Sequence, residues 1–226
     1  VNEQAWQFKR EVQDFWKKVI KRLQVPFFTL TANNLKSTTY PDLPGPLDWQ
    51  KIAGERKIHV EIGSGHGEVL LANNRMKSIV VGYEIKSRFF RLSQRKTRRR
   101  DDIFVYKGSG YESLALHFKN DTISTLYILF PDPWHKKKHA RRRPLTEKFF
   151  ARVAQKLKKG GTIIIATDWQ EYSDFIGSEV QKVTKQYEIT ICPYVPDDYS
   201  LPITHYHQKW ARKGRSFTAF VLKKLG

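Results

Sequence analysis

Three carboxylates in this chain stand where an apolar run gives out. Glu61 precedes Gly63-Ser-Gly-His-Gly67, Glu84 closes Ser78-Ile-Val-Val-Gly-Tyr-Glu84, and Asp132 lies within Pro131-Asp-Pro-Trp134. A strand ending in this way brings a negative charge to the sheet edge where open α/β sheets bind ligands. Gly63, Gly65 and Gly67 would let a backbone turn tightly into a helix and approach a ligand closely. A dinucleotide fingerprint reads Gly-x-Gly-x-x-Gly. Here the third glycine comes one position early, Glu68 follows it, and Glu61 would repel a pyrophosphate.

Two carboxylates at such a loop, with no phosphate-seeking lysine, suit a cationic ligand. S-adenosylmethionine, with positive sulfonium and amino groups, has that character, and Glu84 is placed to accept from its ribose hydroxyls. The plainer alternative is a structural glycine turn beside two surface carboxylates. Asp132 differs, because a proline on each side fixes φ at both neighbours and biases Phe130 and Asp132 toward extended backbone. Directly after it come Lys136, Lys137, Lys138, Arg141, Arg142 and Arg143. A stiffly held carboxylate next to a cationic tract points to chemistry on a polyanion such as a nucleic acid.

Composition agrees. The 226 residues carry 41 Lys and Arg against 22 Asp and Glu, a formal charge of +19 gathered in segments 88–100, 136–143 and 209–215. Clustering of that kind favours phosphate binding over a generic solvated surface. Hydrophobic residues make up 40% of the chain, enough for one sizeable core. Cys192 is the only cysteine, which excludes an intrachain disulfide and a cysteine-rich zinc site. With no run of about 18 apolar residues and no leader pattern, no membrane span is expected, and a reducing cytoplasm is the expected compartment. His135 and His139 stand four apart, a spacing also used by metal ligands, but the lysines around them disfavour a cation, so no metal is expected.

The elements that must position these groups alternate. Strands are expected at 57–62, 78–84, 103–107, 122–130 and 162–167. Helices are expected from Glu68, over 89–100, from Pro144 to about Lys159 with Gly160-Gly161 as the stop, and from Trp169 to about Lys185. Two closing strands, 187–191 and 216–222, flank a loop rich in Pro, Tyr and His. The alternation predicts an α/β, Rossmann-like, doubly wound and mainly parallel seven-stranded sheet. Before it, residues 1–48 read as an amphipathic helix and a proline-rich arm, an N-terminal extension to a domain over 49–226.

With these residues in view the chain resembles the bacterial tRNA (guanine-N7-)-methyltransferase family, class I S-adenosylmethionine-dependent enzymes. The resemblance rests on Glu61-Ile-Gly-Ser-Gly-His-Gly67, Gly82-Tyr-Glu84, the long run from Phe130 to Arg143, and Ala166-Thr-Asp-Trp169. It implies that Glu61, Gly63, Gly65, Gly67, Glu84, Ser109, Gly110 and Asp132 hold the cofactor. It further implies that Asp132 is the active-site carboxylate, that Lys136, Asp168, Thr204 and His207 contact the substrate, and that the partner is tRNA. Two positions depart from the family pattern: Ser109 where Asp or Asn is usual, and His207 where Thr204-His-Tyr-His207 would normally end in Glu. Two other readings compete, a methyltransferase acting on an exocyclic amine of a base, and a non-catalytic RNA-binding protein that keeps the fold. Against the first, Trp134 stands where the amine-methylating Asp-Pro-Pro-aromatic motif has proline.

Overall fold

The computed structural model describes residues 48–74 and 76–226. The expected N-terminal helix and proline-rich arm lie outside them. Seven strands form one sheet in the order β3-β2-β1-β4-β5-β7-β6: β1 Lys57–Ile62, β2 Ser78–Glu84, β3 Ile103–Lys107, β4 Ile123–Leu129, β5 Leu157–Thr167, β6 Tyr187–Pro193 and β7 Thr218–Lys224. β1 pairs in parallel with both β2 and β4, so the strand order reverses on either side of it. β7 runs antiparallel between β5 and β6. All five parallel strands therefore point their carboxyl ends to one edge, the edge that carries Glu61, Glu84 and Asp132.

The helices are α1 Trp49–Ala53, α2 Glu68–Leu71, α3 Ser87–Thr97, α4 Gly110–His117, α5 Glu147–Lys156, α6 Gln170–Val180 and α7 His205–Ala211. The main core joins the buried β-branched residues of β1, β2, β4 and β5 to Leu114, Phe149, Phe150, Val153, Tyr172 and Ile176 from α4, α5 and α6. Burying each such side chain contributes about 1.5–3 kcal/mol, which explains why the β1–β5 runs carry so few polar residues. Trp49 seals one end, with its ring 5.2 Å from Phe104 and 5.5 Å from Phe118.

Several expected boundaries move. Pro144 is not in the first helical turn; Thr146 caps α5, its hydroxyl accepting from the Phe149 amide, and the helix ends at Lys156 before the glycines are reached. Gly160, at φ +69°, turns the chain inside the span of β5 instead. The helix expected from Trp169 to Lys185 is α6 followed by a 3-10 turn at Gln181–Val183. The loop between the closing strands holds α7, capped by Thr204, and α4 follows directly on Ser109.

Two histidines, His117 buried and His59 half-buried, give the fold a pH dependence. The Nδ1 of His117 pairs with the Tyr83 hydroxyl at 2.7 Å, and its Nε2 is buried without a partner. Burial pushes His117 down to about 4, and burial together with the Lys57 charge does the same to His59. The unfolded chain takes up these protons near the ordinary histidine value of about 6.5. Their contribution is therefore complete above pH 6.5 and is lost as pH falls toward 4, at most about 3 kcal/mol for each. Urea midpoints measured at pH 7 and pH 5 are expected to fall, and to fall less in His117→Gln.

Candidate active site

Gly63, Gly65 and Gly67 carry φ of +84°, +50° and +78°, so the loop from β1 to α2 occupies a conformation that other residues resist. Its turn hangs on β2, with the amides of Gly63 and Ser64 both donating to the Tyr83 carbonyl at 2.8 and 3.0 Å. Glu84, 5% exposed, accepts from the Gly65 amide at 2.9 Å through Oε2 and from the Lys86 amide at 2.7 Å through Oε1. One lone pair on each oxygen is left for a ligand. Beyond it, Gly108 donates to the Glu84 carbonyl at 3.1 Å and brings Ser109 alongside. At Gly110 an added Cβ would come within 2.7 Å of Ile62 Cγ1, so the start of α4 can lie against β1 only because that position is bare.

Glu61 is the outlier. It is 4% exposed, and its Oε2 is buried with no hydrogen-bond partner. Burial, then the charges of Glu68 and Glu84, hold its carboxyl well above the usual range. An unsatisfied buried carboxylate costs several kcal/mol, and a cation at the glycine loop would offset that cost. The chemistry of this donor set fits the positive groups of S-adenosylmethionine.

Asp132 lies on the neighbouring strand end. It is exposed, and its Oδ1 accepts from the Trp134 amide at 3.0 Å. Here the structure corrects an expectation: Phe130 is not extended but sits at φ +54°, and Trp134 at +49°. The local bias of an X-Pro pair is overridden by an aromatic cage. The Phe130 ring lies 4.9 Å from Tyr206 and 6.0 Å from His207, with Tyr194 and Phe217 edge-on at 5.6 Å each. Trp134 has Arg142 over its ring at 5.1 Å and His139 edge-on at 5.8 Å. His135 lies edge-on to Trp169 at 4.1 Å, so the two histidines serve different rings. Among the described residues no cluster of three or more His, Cys, Asp or Glu is arranged to hold a metal.

The residues expected to touch substrate divide. Lys136 is exposed just before the 3-10 turn Lys137–Arg142. The Asp168 side chain, 6% exposed, is ion-paired with Arg215 and accepts from the Tyr206 hydroxyl at 3.2 Å. It lines a cavity of about 210 Å³ together with Thr167, Trp169, Gln170, Ser173 and Arg215. Thr204 is nearly buried and its hydroxyl caps α7, accepting from the His207 amide at 3.2 Å. His207 belongs to the aromatic cage, with its Nδ1 buried and partnerless, and burial lowers its pKa.

Besides Thr204 and His207, residues the sequence did not single out join these pieces. Short α7 reaches three of the loops: His205 donates its amide to Glu68 Oε1 at 3.2 Å, Tyr206 meets Asp168, and His207 packs on Phe130. Its Thr204-x-x-His207 start was a visible capping signal. Two expected phosphate ligands are structural instead. Arg100 donates to buried Asp102 and to the Asn73 carbonyl, and Arg143 is 7% exposed.

A parallel sheet reversing at β1, a glycine loop with a partnerless carboxylate, and an antiparallel β7 inserted before β6 together define an α/β methyltransferase domain. A family model described as "Putative methyltransferase" matches residues 55–220. Among solved structures, the 16S rRNA methyltransferase KamB superposes with a TM-score of 0.56 at 10% identity, covering 80% of this chain and 95% of that one. The chain is 30% identical over 223 residues to the tRNA (guanine-N(7)-)-methyltransferase of Pseudoalteromonas atlantica, spanning 96% of this chain and 92% of that protein. It is likewise 30% identical over 202 residues to the enzyme of that name from Thermotoga maritima, covering 87% of this chain and 63% of that protein's length. The chain belongs to the tRNA (guanine-N(7)-)-methyltransferase family.

Proposed function

We propose that this protein transfers a methyl group from S-adenosylmethionine to N7 of a guanine in the variable loop of tRNA, in the cytoplasm. The observation that carries the reading is the buried, partnerless Glu61 carboxylate at the glycine loop, one strand away from Asp132 and its basic tract. Glu61 and the free lone pairs of Glu84 would hold the cofactor, with Gly63, Gly65, Gly67, Ser109 and Gly110 shaping its cradle. When bound, that cofactor supplies an electrophilic methyl group on a sulfonium.

Guanine N7 has an in-plane lone pair and no proton to lose, so the site needs no strong base. What it needs is in-line placement and a negative charge near the imidazole ring, where positive charge grows as the N7–C bond forms and the S–C bond breaks. Asp132 is the group we assign to that task. Lys136, Asp168 and the start of α7 at Thr204 would line the substrate side, with Tyr206 and Arg215 fixing the Asp168 carboxylate. His207 does not replace the family's glutamate as a polar contact in this reading; it holds Phe130, and so the base of the Asp132 loop.

The groove of an A-form helix hides N7, so local opening of the RNA is expected, with phosphates held at a distance from the chemistry. Arg88, Arg91 and Arg95 are exposed at i, i+3 and i+7 of α3 and form one basic ridge. Lys209 and Lys213 lie against the Trp210 ring at 5.1 and 4.8 Å, beside the Asp168-bound Arg215. If six to ten phosphates are contacted, tRNA affinity is expected to fall about 10³–10⁵-fold between 50 and 200 mM salt. Filter binding across that range checks it, and a nearly flat dependence would remove these ridges from the interface. Transfer of labelled methyl from S-adenosylmethionine into unmodified tRNA tests the activity itself.

A further inference from the structure

Arg143 closes the most basic run in the chain, yet it faces inward. Its Nε donates to the Pro133 carbonyl at 3.0 Å and its Nη2 to Glu171 Oε1 at 2.8 Å. The guanidinium lies 5.3 Å from the Tyr172 ring and 5.4 Å from the Phe175 ring. The loop it grips has few other handles. Pro131 and Pro133 have no amide hydrogen, and the Trp134 amide is spent on the Asp132 side chain, inside the loop itself. Phe130 secures one end of the loop, through its ring and through its amide, which donates to the Ala166 carbonyl at 2.8 Å. On the other side of Asp132, the described bond from the loop backbone to the body of the domain is the one from Arg143.

We propose that Arg143 is a positioning residue, which sets the place of the Asp132 carboxylate by holding the adjacent Pro133 carbonyl against α6. A planar fork presents its N–H groups to a carbonyl and a carboxylate in fixed directions while lying beside two aromatic rings; the ammonium of lysine has donors but no such fixed plane. Two tyrosines, Tyr172 buried and Tyr111 partly so, support the placement. Burial raises Tyr172, with Arg143 lowering it and Asp132 raising it, so its partnerless hydroxyl lies within reach of both charges. Tyr111 is pushed up by burial, by Tyr172 and by Asp132. Tyr111 on α4 and Tyr172 on α6 therefore both lie within electrostatic range of the Asp132 carboxylate. A displacement of about 1 Å at such a site costs on the order of 100-fold in rate.

The role of the Asp132 charge rests on the activity proposed above, so the test has one arm that needs activity and one that does not. Arg143→Lys, Asp132→Ala and the double variant are compared with the unaltered protein. We expect Arg143→Lys to lower kcat about 10–100-fold while the Kd values for S-adenosylmethionine and tRNA change less than about threefold. In the Asp132→Ala background the same change is expected to cost less than about twofold, because the group it positions is gone. Equal losses in both backgrounds, or an unchanged kcat, would overturn the inference. Amide hydrogen exchange over residues 130–136 should quicken in Arg143→Lys with α6 still protected; unaltered exchange in the loop also overturns it. If the unaltered protein transfers no methyl to tRNA, the activity reading fails and the exchange arm still decides whether Arg143 orders the loop. Should Arg143→Lys not fold, Glu171→Gln, altered at an exposed carboxylate, must show the same effects to a smaller degree.

Discussion

Replacing Asp132 with alanine is expected to lower methyl transfer to tRNA by about 10²–10³-fold, the usual cost of removing one fixed group that stabilises developing charge. The Kd for tRNA should stay within about threefold, because phosphate contacts on distant ridges dominate that affinity. Asp132 is exposed, so its loss opens no cavity in the core. Asparagine separates the two jobs of the side chain. Asp132→Asn keeps an acceptor for the Trp134 amide, and with it the turn, but removes the negative charge. Single-turnover rates for the two variants should then both be low. A fast Asp132→Asn would show that the turn matters and the charge does not, which would end the role assigned to it.

The second large effect concerns Glu61, where stability and binding are expected to move in opposite directions. Its carboxyl is raised well above the usual range by burial, Glu68 and Glu84. The unfolded chain ionises this group near 4.5 and the folded chain resists, so without a ligand the group destabilises the fold as pH rises above 4.5 toward the folded value. Glu61→Gln removes that penalty, and the ligand-free protein should melt higher at pH 7.5, by about 2–4 °C per kcal/mol relieved. The same variant should bind S-adenosylmethionine about 10–100-fold more weakly, since it gives up a charged hydrogen bond. Calorimetry and a thermal melt on one preparation check both halves. A variant that melts higher and binds equally well would place the cofactor's cation elsewhere.

Much of this architecture was legible because burial on both faces of a parallel sheet leaves long apolar runs. Strands β1 to β5 and the helices that start after Gly67 and Trp169 follow from that signal and from punctuating glycines. Helix α7 was harder to see. His205-Tyr-His-Gln-Lys-Trp-Ala211 has no apolar stripe, and none of its residues is buried. It is held by what it touches, the Glu68 carboxylate, Asp168 and the Phe130 ring, none of which is near in sequence. Phe130 shows the same limit from the other side. Proline predicts an extended residue before it, and four aromatic groups, two from α7 and one each from the segments next to β6 and β7, surround a left-handed one.

Charge was the least legible property. Arg100, Arg141, Arg142 and Arg143 look alike in a basic chain, yet Arg100 is spent on buried Asp102, Arg143 on the Pro133 carbonyl and Glu171, while Arg142 lies over Trp134. Asp168, which the resemblance places against the substrate, is clasped by Arg215 and Tyr206, neither of which is near it in sequence. The geometry around the glycine loop was more legible than that around Asp168 for a physical reason. Its groups lie within one βαβ unit, so strand, loop and carboxylate are set by local sequence, whereas the substrate side is assembled from the ends of β4 and β5 and from α7.

The most direct test is the identity of the product. Unmodified tRNA is incubated with the protein and labelled S-adenosylmethionine, digested to nucleosides and resolved, and the labelled position is mapped. The label is expected in 7-methylguanosine from the variable loop, and to vanish with Asp132→Ala. Label on an exocyclic nitrogen of a base, or no transfer while the cofactor binds, would contradict the account.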